Sequence, residues 1–324
     1  MKITRRGLLA LTGAAGLLVF TRVGRAQAYP TRSVRIVAGF LAGSTTDIVA
    51  RLLAHWLQDR LGQPFIVENR PGAGGTLATE LVVGALPDGY TLLMTNSAHA
   101  INAALDTNQR FNIRRDIAPI GAIVSVPNVM VVNPAVPAAT VPDFIAYAKA
   151  NPGKLNMGSA GMGSSGHLAG ELFKMMAGVD LVHVPYRGSP AALSDLLAGQ
   201  VQVYFAPMPP AIEHIRAGTL RALAVTTATR WAALPQLPAV AEFVPGYEAG
   251  TWSGLAAPAN TSAGVIDVLN MAINAAIADP RIKSTLADMG GLVLGGSPAD
   301  AAKLLGDEIE KWTKVVTHAG LNQQ

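Results

Sequence analysis

The sequence predicts an α/β protein of two similar lobes, each a mainly parallel sheet flanked by helices, with a cleft between them. Three observations predict it. Apolar strand runs alternate with helical patterns three times within about 65 residues of Val34, which implies a parallel, right-handed sheet. The same alternation restarts after Thr140. Two segments, 117–133 and 254–257, read as strands that carry the chain from one lobe to the other and back.

In chain order, Val34–Ala38 (VRIVA) is a continuous β-branched run that suits a strand covered on both faces, and it ends in Gly39-Phe40-Leu41-Ala42-Gly43. Ser44-Thr45-Thr46-Asp47 then opens a helix with Val49, Leu52, Leu53, Trp56 and Leu57 on one stripe and Gly62 as its stop. A strand at 65–68 leads into the glycine loop Asn69-Arg70-Pro71-Gly72-Ala73-Gly74-Gly75 and a short helix. Pro87-Asp88-Gly89 turns the chain into a strand at 90–94, which ends in Thr95-Asn96-Ser97-Ala98-His99. Segments 117–126 and 129–133 read as strands split by Pro127, the first crossing. Beyond Thr140, a helix cap, helices are predicted at 142–150, 165–176, 189–198 and 209–217, and strands at 155–159, 181–184, 201–205 and 222–225. Residues 226–250, rich in proline and aromatics, read as an irregular connection. Helices at 264–278 and 298–317 follow the return strand, the last behind Ser297-Pro298-Ala299-Asp300, an approximate capping box with proline in its first turn.

The densest stretch is 156–187: strand, glycine–serine loop, amphipathic helix, second strand, and an exposed Tyr186-Arg187 pair. Small residues let a ligand approach the backbone, and a helix N-terminus with free N–H groups attracts negative charge. A carboxylate or a phosphate is the expected guest.

Bulk composition narrows the class. Residues 1–28 read as a secretory signal: a basic start, an apolar run from Gly7 to Phe20, and Ala26-Gln27-Ala28 as a cleavage site before Tyr29. Arg5-Arg6 resembles a twin-arginine signal, and the general secretory route fits the same residues. That segment holds five of the 25 basic residues and no acid, so the remaining 296 residues carry 20 basic against 21 acidic ones. The pI near 9.4 thus belongs to the export signal, and nothing points to nucleic acid as a partner. Cysteine is absent, which excludes disulfides, thiolate chemistry and a lipoprotein anchor. The expected product is periplasmic, soluble and monomeric.

The order of motifs resembles the Bug/TctC family of periplasmic solute receptors serving tripartite tricarboxylate transporters. Its carriers are VRIVAGFLAGSTTDIVARLLA, VENRPGAGGTLATELV, PDGYTLL, GSAGMGSSGHLAGELF, VPYRGSPAALSDLLAGQV and AGTLRALAVTT, in that order along the whole mature chain. The resemblance implies a two-lobed Venus-flytrap fold, with 29–128 and 253–324 as lobe 1 and 129–252 as lobe 2, that closes on a small carboxylate. It also implies delivery of that ligand, an organic acid of the dicarboxylic or aromatic kind among others, to membrane permease subunits. Two departures stand out. The first loop carries Phe40-Leu41-Ala42-Gly43-Ser44 where the family reads like a proline followed by paired glycines. Phe205-Ala206-Pro207-Met208 lacks an acid that several relatives place there, which favours a plain organic acid over an ammonium-bearing one.

Candidate ligand-binding residues follow from the loops. Ser159, Gly163, Ser164 and Ser165 offer hydroxyls and amides, although serine is also favoured simply as a cap. Phe40, Gly43, Ser44, Thr45 and Thr46 face them from the first lobe. Asp47 suits a helix-start role better than contact with an anion. Gly74 stands for a loop whose glycines serve either a turn or a ligand. Ser97 and His99 end a strand at the cleft edge, and His167 lies in the first turn of its helix; a packed histidine is the plainer reading of both. Arg187, with Tyr186, is placed to pair with a carboxylate or to tie two loops together. Tyr247 and Trp252 suit either an aromatic cover or the core.

A second class competes. Gly161-Met162-Gly163-Ser164-Ser165-Gly166 matches G-x-G-x-x-G after a strand, and Arg187 ends the next strand, as in an exported NADP-dependent oxidoreductase. Against it, no acid occupies the ribose position. There is no G-x-S-x-G elbow and no clustered metal ligands, so no catalytic residue, metal or cofactor is expected.

Overall fold

The computed structural model describes residues 29–105, 109–231 and 234–319. The expected signal at 1–28 lies outside the described residues. Three βα units open the chain: β1 (Val34–Ala38) and α1 (Thr45–Leu61), β2 (Phe65–Asn69) and α2 (Thr76–Val83), then β3 (Thr91–Asn96) and α3 (Ser97–Leu105). Ser44 caps α1 by accepting from the Asp47 N–H, and Gly62 ends it in the left-handed region, as its sequence predicts. The apolar stripe of α1 places Val49, Leu53 and Leu57 in the core.

After the short α4 (Ile113–Asp116), β4 (Ile117–Val132) is a single 16-residue strand. This corrects the expected split at Pro127. Through Pro127 the strand pairs with β9 (Gly250–Pro258), and from Asn128 it pairs with β7 (Val203–Pro207). Proline has no N–H for the ladder, and here the missing donor falls where β4 exchanges partners, so the strand need not break.

The second alternation comprises α5 (Val141–Ala150), β5 (Asn156–Ser159), α6 (Ser165–Ala177), β6 (Val182–Pro185), α7 (Ser189–Leu197), β7, α8 (Met208–Arg216) and β8 (Arg221–Val225). Among the described residues of the irregular connection predicted for 226–250, the regular structure is a short 3-10 turn, Val240–Glu242, and a single bridge from Ala239 to Val225. The end of the connection is tied down by Thr226, whose hydroxyl donates to the carbonyls of Asn128 and Ala249. The return strand β9 begins at Gly250, earlier than the expected 254–257. It is followed by α9 (Ala263–Ala278), α10 (Pro280–Asp288), β10 (Leu292–Val293) and α11 (Pro298–Ala319). A reciprocal pair of bonds between Ser297 and Asp300 caps α11, the box read from the sequence.

The strand order β2-β1-β3-β9-β4-β7-β5-β6 joins both alternations through β4. The pairs β1–β2, β1–β3, β5–β6 and β5–β7 are parallel, and every antiparallel pair involves β4 or β9. Sequence patterning foresaw the parallel units because consecutive βα elements share one sheet. It missed α3, α4, α10 and β10, which are short or lack a strong apolar period. The core has two local parts, one around Leu57, Leu92 and Ile273 and one around Leu196, Tyr204 and Ile212. A third part spans both halves, from Leu93 and Ile101 through Met130 to Phe173, Phe205 and the fully buried Trp312 of α11. Tyr247 belongs to that core, its hydroxyl bonded to the Ala169 carbonyl, and Trp252 is buried among it, so both take the core reading.

Candidate functional site

Five helices begin at one cavity. Residues at the N-termini of α1 (Ser44, Thr45, Thr46), α3 (Ser97, Ala98), α6 (Ser164, Ser165, Gly166), α7 (Ser189) and α8 (Pro207) line it, together with Phe40, Asn96, Ala160 and Thr251. Its interior is small, about 30 Å³, and it opens to solvent at its mouth. α1 and α3 belong to the first alternation, and α6, α7 and α8 to the second. No lining side chain carries a formal charge. Helix N-termini direct free N–H groups and the positive end of the dipole inward, so the cavity favours an anion without a cation in its wall.

The hydroxyls sharpen this. Ser44 accepts from the Asp47 N–H at 3.3 Å, and Ser164 accepts from the His167 N–H at 3.3 Å. Thr46 accepts from Asn96 Nδ2 at 2.7 Å, and Ser189 accepts from the Tyr204 hydroxyl at 3.1 Å. A hydroxyl has one proton and two lone pairs, so each of these groups keeps its own proton to give to a guest. Thr45 Oγ1 is buried with no partner at all. The hydroxyls of Ser97 and Thr251 lie 2.7 Å apart, so one donates to the other and the accepting one keeps its proton. A wall that leaves these hydroxyl protons uncommitted, with Thr45 unpartnered beside them, suits a group that accepts, such as an ionised carboxylate.

Of the residues expected from sequence, Phe40, Ser44, Thr45, Thr46, Ser97, Ser164 and Ser165 line this cavity. Ser97 does so from the start of α3, which corrects the expectation that Ser97 and His99 end a strand. Gly74, Tyr186 and Arg187 line a neighbouring groove, which shares Phe40 and Ala160 with the cavity.

The others hold the loops from behind. The Asp47 carboxylate accepts from Gly43 N–H, Arg51 Nε and Asn69 Nδ2, so its oxygens are turned away from the cavity. Burial raises the pKa of Asp47, but those bonds outweigh it and hold the carboxyl below its usual value. His167 Nδ1 accepts from the Gly163 N–H at 3.2 Å, fixing the loop ahead of α6. Its ring stacks on His183 at 4.0 Å, and burial, with the nearby charges of His183 and Lys174, pulls its pKa to about 3. Ser159 Oγ lies 2.7 Å from His183 Nε2 and accepts from the Gly161 N–H. His99 Nδ1 accepts from the Asn96 N–H, and burial lowers its pKa to about 4.

Sequence reading missed Asn96, Ala98, Ala160, Gly166, Ser189, Pro207 and Thr251 as wall residues. Ser189 had a signal, since Gly188-Ser189-Pro190 opens a helix with proline in its first turn. Asn96 and Thr251 had none, because they reach the cavity only through the pairing of β3 with β9.

The model of the tripartite tricarboxylate transporter family receptor matches residues 49–321. Protein BugT of Bordetella pertussis is 36% identical over 298 residues, covering 91% of each chain. The structure of Rpa4515 from R. palustris with adipate superposes with a TM-score of 0.88 at 38% identity, over 90% of this chain and 98% of that one. MatC (Rpa3494) from Rhodopseudomonas palustris with bound malate gives 0.85 at 31% identity, over 89% of this chain and all of the other. The fold is therefore the two-lobed one of periplasmic binding proteins. Neither the family nor these structures supports the nucleotide-cofactor reading of Gly161–Gly166. Among the described residues no helix is long and apolar enough to cross a membrane.

Proposed function

This chain belongs to the tripartite tricarboxylate transporter receptor family, a family of periplasmic receptors, and from that premise we propose that it binds a small carboxylate between its lobes. It releases the ligand unchanged to a membrane permease. The observation that carries the reading is the set of Ser44, Thr46, Ser164 and Ser189, whose hydroxyls accept from the scaffold and so donate to the guest. The adipate and malate named for two similar structures lend it support, both being carboxylates.

On this reading 29–128 and 253–324 form one lobe and 129–252 the other, with hinges at 127–129 and 252–254. β4 crosses between the lobes and β9 begins where the chain returns. Closure brings the N-termini of α1 and α3 against those of α6, α7 and α8 on a carboxylate. The mature receptor starts near Tyr29, is exported to the periplasm and acts as a monomer.

Calorimetric titration of the mature protein with a panel of organic acids, amino acids and NADP tests the function. Saturable binding of at least one free acid is expected, with NADP silent. Binding of NADP and of no acid would overturn the reading.

A further inference from the structure

The cavity hydroxyls that accept from the scaffold differ in what holds them. Ser44 and Ser164 accept from backbone N–H groups three residues ahead, inside their own helices. Thr46 accepts from Asn96, which itself lines the cavity. Ser189 is held from outside the wall. Among the described residues its hydroxyl bonds to Tyr204 of β7 alone, and α7 begins at Gly188 without a side-chain cap. Tyr204 is fully buried and lines no part of the cavity. It shares a core cluster with Ala192, Leu193 and Leu196 of α7. A methyl group on Gly166 of α6 would lie 2.9 Å from Tyr204 Cε2, so the ring edge fills the space beside the first turn of that helix. One phenol thus meets two of the helix starts that face the cavity. Burial raises its pKa well above the usual phenol value, so the hydroxyl keeps its proton, and it donates to Ser189 Oγ at 3.1 Å.

We propose that Tyr204 is a positioning residue for ligand binding: it does not touch the carboxylate, but it fixes the Ser189 hydroxyl so that the serine proton is offered to the cavity. The inference rests on the carboxylate reading of that cavity. A serine oxygen carries one proton and two lone pairs on a side chain that turns about one torsion. With the phenol donating into a lone pair, the proton is left to turn toward a guest. Without the phenol the hydroxyl samples other rotamers, and the guest must order it on binding. Ser44 and Ser164 need no such partner, because the local cap already holds each oxygen.

The test is a double-mutant cycle between Tyr204→Phe and Ser189→Ala, titrated calorimetrically with malate, adipate, citrate and benzoate, with urea unfolding of the free proteins alongside. Tyr204→Phe deletes one oxygen and keeps the ring against Gly166, so the fold should survive. It is expected to weaken the acid that binds the wild type best by roughly threefold to tenfold. Ser189→Ala should weaken it at least as much. Adding Tyr204→Phe to Ser189→Ala should then cost nothing more, since no hydroxyl is left to position. Losses that multiply in the double variant would show that the tyrosine acts on the fold at large, and would overturn the proposal. So would full affinity in either single variant, or a Tyr204→Phe protein that does not fold. Where the wild type binds an acid and the cycle fails, the positioning role falls alone. If none of the four acids binds the wild type, the carboxylate reading falls with it.

Discussion

Gly163→Ala is expected to weaken ligand binding while leaving the protein folded. Gly163 precedes α6 with φ at +71°, and a methyl group there would lie 1.8 Å from Oδ1 and 2.9 Å from Cγ of Asn102, on α3 in the other proposed lobe. Admitting it forces the Asn102 amide away and breaks its 2.9 Å bond from Nδ2 to the Gly74 carbonyl. Loss of that bond costs about 1 kcal/mol. The penalty applies only when the lobes meet, so it appears as a loss of affinity of roughly fivefold or more. The left-handed backbone adds about 1–2 kcal/mol for alanine in every state, and so appears as stability. Gly62→Ala separates the two effects, since Gly62 has φ at +72° but open space around it. It should lower the melting temperature by a few degrees and leave affinity unchanged. Asn102→Ala placed on Gly163→Ala should restore most of the lost affinity, as a coupling between touching residues. Unchanged affinity in Gly163→Ala, or no rescue by Asn102→Ala, would refute the idea that this contact forms on closure.

Three further outcomes are expected. Thr45→Val removes a buried hydroxyl without a partner, so urea unfolding of the free protein should show equal or higher stability while carboxylate affinity falls severalfold. Asp47→Asn keeps one acceptor oxygen but sets its N–H₂ against either the Gly43 and Arg51 donors or the Asn69 donor, and should destabilise by about 2–3 kcal/mol in the same assay. Acid should destabilise the fold in a defined window. Burial holds His99 neutral with its pKa lowered from 6.5 to about 4, and buried His167 is lowered to about 3. The unfolded chain binds protons first, so stability is complete above about 6.5 and is lost as pH falls toward about 4 and below. Fully buried His99 alone accounts for about 3 kcal/mol of that fall. Melting temperatures at neutral pH and near pH 4 check it, and a flat profile contradicts it.

The sequence by itself determined whatever short-range bonding controls. Ser44 and Ser164 were legible as helix starts, Gly62 as a helix stop and Thr140 as a helix cap, because each of these groups meets partners within four residues. The parallel βα units were legible because alternation alone dictates them. Tertiary structure decided which polar groups face the cavity and which turn to the scaffold behind it. Asp47, Ser159, Gly163 and His167 lie within a few residues of the cavity wall, yet they spend their polar atoms on the loops behind it. Thr251 joins that wall beside Ser97, 154 residues away, only because β9 runs antiparallel to β3. Strand order and register set that meeting, and neither is written in a local pattern. Likewise Pro127 marks a strand end by local rules, but β4 runs through it because the partner strand changes there.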